Sequence, residues 1–173
     1  MNTATTTPSS SQSSSLSESA SGISPLARLF ATTDSYAPLI ARLTLAIVIF
    51  PHGAQKALGW FGGYGFSGTM GFFTENMGIP ALFAFLAIVA EFLGPIALLF
   101  GALSRVAAFG VGTTIAVAMF FGHTANGFFM NWYGNQAGEG IEYHLLVIGL
   151  ALIGVISGGG KLSADRVIAN KLK

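Results

Sequence analysis

The sequence predicts an all-α fold: an integral membrane four-helix bundle with a disordered N-terminal tail. Three observations predict it. Charged residues make up only 9% of the 173 positions and hydrophobic ones 52%, with a mean hydropathy of +0.66, whereas soluble proteins carry roughly 25% charged residues. Four apolar runs, at 39–58, 82–100, 106–121 and 141–157, are separated by segments rich in Gly and aromatic residues. The runs are continuously apolar rather than alternating, which favours helices over the strands of a membrane barrel.

The elements follow in order. Residues 1–33 are expected to be a disordered cytoplasmic tail. The stretch 3–24 is mostly Ser and Thr and offers too little apolar surface to offset the entropy of ordering. It has neither the basic start nor the apolar centre of a signal peptide. Residues 34–158 are expected to form the transmembrane domain. The first run contains Arg42, His52 and Lys56, and the second is broken only by Glu91. Pro95, four residues on, lacks an N–H and is expected to kink that helix beside its acid. The third run has no charge, and the fourth opens with Glu142 and His144. A bilayer core of about 30 Å takes roughly 20 helical residues, so the third and fourth runs span it only by extending into neighbouring polar residues.

The connections have signatures of their own. Gly101 to Ser104 reads as a tight hairpin. Loop 59–81 is rich in Gly and aromatics such as Trp60 and Tyr64, which favour the membrane–water boundary. A short interfacial helix is expected there over 68–77, with Ser67 as its N-cap. Loop 122–140, with Phe128, Phe129, Trp132 and Tyr133, is expected at the same boundary. Residues 159–173 read as a cytoplasmic basic amphipathic tail, capped by Ser163, with Val167, Ile168 and Leu172 toward the inner leaflet. Arg28, Arg105, Lys161, Arg166, Lys171 and Lys173 all fall on one side of such a bundle, and neither long loop contains Lys or Arg. The excess of basic residues on cytoplasmic segments then places both termini of this multi-pass protein in the cytoplasm.

Composition also excludes chemistries. With no Cys, the chain has no disulfide, no Fe–S cluster, no thiolate zinc site and no thiol nucleophile. A net charge of +1 gives no reason to expect nucleic acid as a partner. No GxGxxG fingerprint follows a strand, so electrons for any redox step come from elsewhere.

The informative residues are therefore ionisable groups inside apolar runs, each costing about 2.5–3.5 kcal/mol at a helix centre unless paired, hydrated or in use. At 1.5 Å per residue, Lys56 lies about 3 Å and His52 about 9 Å inside the outer end of the first helix, and Glu91 about 15 Å deep in the second. His123, Glu142 and His144 join Lys56 in the outer layer. His52 and Lys56 are four apart and share a helix face. His52, Lys56, Glu91 and His144 are the candidate catalytic residues. His52, Lys56, Trp60 and His144 are the candidate ligand-binding residues, with Trp60 over the mouth of a pocket open to the outside. The plain structural readings are an ion pair for Glu91, interfacial hydrogen bonding for the histidines, and snorkelling of Arg42, Lys56 and Arg105 to headgroups. Three separated histidines without ligand spacing disfavour haem or a metal, and no metal site is assigned.

Arg42, the motif Phe50-Pro51-His52-Gly53-Ala54-Gln55-Lys56, the stretch Glu91-Phe92-Leu93-Gly94 and the run Glu142-Tyr143-His144 resemble the DoxX family of small four-helix bacterial membrane proteins. The resemblance covers about 36–157. It implies an association with quinone-linked oxidoreductases, since some members are subunits of such enzymes, including archaeal thiosulfate:quinone oxidoreductase and terminal quinol oxidase assemblies. The positions matching the family pattern are Arg42, His52, Gly53, Lys56, Glu91, Gly94 and His144.

The expected function is that of a redox-linked inner-membrane protein, a subunit of a quinone-dependent oxidoreductase that binds a quinone or similar small molecule in an outer-facing polar pocket. The lipid bilayer and other redox-enzyme subunits are its expected partners. Two readings compete: a non-catalytic assembly or scaffold subunit whose buried ions only fix helix packing, and a small transporter with Glu91 as its proton or substrate site.

Overall fold

The computed structural model describes residues 25–172. Every regular element among them is helical: α1 (Pro25–Phe30), α2 (Ala37–Leu58), α3 (Gly65–Gly71), α4 (Ala81–Phe100), α5 (Ser104–Ala118), α6 (Glu142–Ser157) and α7 (Ala164–Lys171). Two π-helical turns, Phe72–Asn76 and Met119–His123, extend α3 and α5, and a 3₁₀ turn, Thr124–Asn126, follows the second. Three helices are long and apolar enough to cross a membrane: Ala37–Leu58, Ala81–Phe100 and the extended α5, Ser104–Asn126. The extension through His123 is the one the sequence required of its third run. At 16 residues α6 is shorter, about 24 Å of helix.

These helices close a ring: α2 packs on α4, α4 on α5, α5 on α6, and α6 back on α2. Leu45, Ile49, Leu98, Val111, Ile115 and Val147 fill its centre. Without a hydrophobic driving force in lipid, such helices are held by close packing, which small residues permit. A Cβ added at Gly53 would overlap the backbone carbonyl of Glu91; one at Gly94 would fall 2.9 Å from Val111 Cγ2, and one at Gly112 2.9 Å from Ala151 Cβ. The outward faces are apolar, with Ile47 70%, Phe109 64% and Ile156 72% exposed.

The polar end of the bundle differs from expectation in three ways. Arg42 and Arg105 do not snorkel. Arg42 is buried and donates to the carbonyls of Leu98 (2.7 Å), Leu99 (2.6 Å), Gly159 (3.0 Å) and Leu162 (2.7 Å). Arg105 donates to the carbonyls of Ala31, Val155 and Ile156. The last carbonyls of a helix lack intrahelical partners, and these guanidiniums supply them for α4 and α6.

Second, α7 is built into the bundle rather than only resting beside it. Ser163 caps it as expected, accepting from Arg166 N at 3.2 Å. Buried Asp165 reaches back to accept from Leu103 N (2.7 Å) and Ser104 N (2.8 Å), capping α5. Third, the folded part begins ahead of residue 34. Residues 1–24 of the expected tail lie outside the described residues, but Pro25–Phe30 form α1 and Thr33 N donates to Ser157 O at 3.0 Å. Arg105 needs the Ala31 carbonyl, which ties this segment down.

One local expectation also shifts. The interfacial helix starts at Gly65, where a φ of +67° turns the chain, so Ser67 sits inside it and caps nothing. Pro95 lies within α4, which continues past it to Phe100.

Candidate functional site

The site forms where α2, α4 and α6 meet in the half of the bundle away from the termini. Gly53 lets the backbone of α2 touch that of α4 at Glu91. One turn further along α2, Lys56 is thereby carried onto the Glu91 side chain, and Lys56 Nζ forms an ion pair with Glu91 Oε2. The carboxylate is enclosed, its side chain 3% exposed against 26% for Lys56. A charge this buried persists only when paired, and the cation keeps a route to the outside.

Around this pair runs a chain of rings from three helices. His52, one turn before Lys56, is exposed and stands with its ring 6.1 Å from that of Tyr143 on α6. Tyr143 is 5.5 Å from His144, and His144 is 4.2 Å from His123 at the end of the α5 π-turn. His144 is buried, and His123 Nδ1 lies 2.9 Å from the Glu139 carbonyl oxygen in the second long loop. The hydroxyl of Tyr143 is buried without a hydrogen-bond partner among the described residues.

Glu142, read from the sequence as part of the outer layer, organises the loop instead. Its Oε1 accepts from Met130 N (3.0 Å) and Trp132 Nε1 (3.1 Å). Glu139 Oε2 accepts from Asn131 N at 2.7 Å.

The structure thus brings Lys56 and Glu91 into contact and joins His52 to His144 through Tyr143. Trp60 lies in the 3₁₀ turn Trp60–Gly62, about half exposed, with its ring against Phe61. Sequence reasoning missed two members of this cluster. Tyr143 was visible only as the neighbour of His144. His123 was placed at the right depth, but its approach to His144 follows from a π-turn that the apolar pattern does not announce; such turns recur at functional sites. The large cavity lies elsewhere: about 900 Å³ between α4 and α5, lined by Phe83, Ala87, Gly94, Val106, Gly110 and Val117 among others, and apolar.

The arrangement offers hydrogen-bond donors and a cation beside a buried carboxylate, with imidazoles leading outward. This suits binding of an acceptor oxygen and passage of protons. Comparison with known proteins adds the following. The DoxX family model matches residues 37–124, about half the chain, from the start of α2 to the last turn of the extended α5. The inner membrane protein YqjF of Escherichia coli (strain K12) is 31% identical over 139 residues, covering 77% of this chain and 92% of that protein. No solved structure matches. With three membrane-length apolar helices and both matches agreeing, the chain is a multi-pass membrane protein and belongs to the DoxX family.

Proposed function

We propose that the protein is a redox-linked component of the bacterial inner membrane that binds a quinone, or a small molecule with a similar head group, at the Lys56–Glu91 cluster. In this reading α6 completes a fourth span and both termini lie in the cytoplasm. The observation that carries the reading is the enclosed Glu91 carboxylate with its Lys56 partner, joined to the His52–Tyr143–His144–His123 chain of rings.

The residues fit a quinone head group. Its carbonyl oxygens accept hydrogen bonds, and Lys56, His52 and the unpartnered Tyr143 hydroxyl donate them. A bound quinone would supply two-electron, two-proton redox chemistry. Lys56 would orient one carbonyl oxygen. Glu91 would hold that ammonium in place and balance its charge. His52 and His144, whose ring nitrogens can each accept or donate a proton, would hold or pass protons, and His123 would connect them to the loop at Glu139. Electrons would come from a partner subunit.

Purification of the full chain in mild detergent tests this. Solvent extraction of the purified protein should yield quinone in a fixed ratio to protein, reduced in Lys56→Met, together with a co-purifying redox subunit. Absence of both quinone and redox partner contradicts the reading and leaves the assembly-subunit role as the better account.

A further inference from the structure

We propose that Tyr143 is a ligand-contacting residue: its buried hydroxyl donates a hydrogen bond to an oxygen acceptor of the bound head group, between Lys56 on α2 and His144 on α6. The inference rests on the proposed binding of a quinone-like ligand and adds to it the residue that fixes the ligand's position.

A buried hydroxyl that lacks a partner loses its hydration for nothing and destabilises the fold that contains it. Such groups are rare. The Tyr143 hydroxyl is one, with no partner among the described residues. Its ring packs beside the hydrophobic core and lies 6.1 Å from His52 and 5.5 Å from His144. His52 lies one turn before Lys56 on α2, so the Tyr143 ring stands beside the helix that carries the cation of the ion pair. Phe in place of Tyr would keep every ring contact. The hydroxyl therefore serves something outside the chain's own hydrogen bonds.

The chemistry of the surroundings says what that is. Glu91 is already taken by Lys56, and His144 Nδ1 is, like the Tyr143 hydroxyl, buried without a hydrogen-bond partner among the described residues. A group entering beside Lys56 meets a cation and a phenol O–H. It must present an acceptor, such as the carbonyl oxygen of a ring head group, because a donor-only ligand would leave the phenol O–H unsatisfied. His52, exposed at the edge of the cluster, can stack on or donate to the same ring.

This assignment predicts an opposition between stability and binding that a structural hydroxyl would not produce. The full chain in detergent is compared with Tyr143→Phe for thermal unfolding without ligand and for calorimetric binding of ubiquinone-1, a short-tailed probe. The variant should melt at or above the wild-type temperature and bind the probe about tenfold more weakly, the loss expected for one hydrogen bond of about 1.4 kcal/mol.

A lower melting temperature with unchanged affinity would mean that the hydroxyl is bonded within the fold, through a buried water for example, and would overturn the assignment. Wild type and variant binding equally well, with equal melting, would overturn it while leaving the quinone reading intact. Failure of the wild type to bind the probe would overturn both.

Discussion

Lys56 and Glu91 are unequal partners, and that inequality is measurable. Removing one member of a buried ion pair costs about 3–5 kcal/mol, because the other charge is left in low dielectric. Glu91 is almost fully enclosed, while Lys56 is a quarter exposed and can swing its ammonium toward the outside. Lys56→Met should therefore destabilise the protein by an amount near that range, and Glu91→Gln by clearly less. The double variant Lys56→Met/Glu91→Leu should recover most of the loss. Unfolding followed by circular dichroism in detergent checks all three, and equal losses in the two single variants would contradict the burial argument. Both residues were legible in the sequence, because a charge in an apolar run is conspicuous and helix depth follows from counting. The role of Arg42 was not. Its acceptors are main-chain carbonyls 56 to 120 positions away, and carbonyls leave no mark in a sequence. The same holds for Asp165, which caps α5 by accepting from the main-chain N–H groups of Leu103 and Ser104.

At the scale of elements, the contact of α2 with α4 decides whether the site exists. Gly53→Ala would drive a methyl group into the Glu91 carbonyl, a backbone atom that cannot rotate away. The helices must part, and the expected cost is about 1–3 kcal/mol of overpacking together with loss of the Lys56–Glu91 pair. Gly149→Ala, at a position with open space beside it, is the control and should be close to neutral. The apolar runs and the α4–α5 hairpin were readable from composition and spacing. The start of α3 and the π-turn at Met119–His123 were not, since a glycine's positive φ and a change of helical hydrogen-bond register depend on packing rather than on periodicity.

The attachment of α7 also carries a pH dependence. Asp34 accepts from Arg166 at 2.5 Å, and this hydrogen bond holds its carboxyl below the usual value, while Arg166 is pushed up in return. A carboxyl with a lowered folded pKa contributes stability above its unfolded pKa, about 3.9, and loses it as pH falls through the lower folded value. Proteolysis of the α7 segment should thus increase below about pH 4, and Asp34→Asn should flatten that increase. The effect is small because both groups are in solvent.

For the whole molecule, the distribution of Arg and Lys predicts that both termini lie in the cytoplasm and both aromatic loops outside. The chain has no Cys of its own, so single cysteines introduced at Asn135 and Asn170 report directly. A membrane-impermeant maleimide applied to intact cells should label the first and spare the second, and the reverse pattern would contradict the orientation. The same molecule holds two candidate places for a lipid-soluble ligand: the polar cluster of α2, α4 and α6, and the apolar cavity between α4 and α5. The proposed place of the head group is the first. A photoreactive quinone cross-linked to the full chain in membranes, with the modified residues mapped by mass spectrometry, separates the two. Labelling within 48–60 and 140–148, competed by excess unmodified quinone, is the predicted result. Labelling confined to the faces of α4 and α5 that line the cavity, or labelling that excess quinone does not reduce, would contradict it.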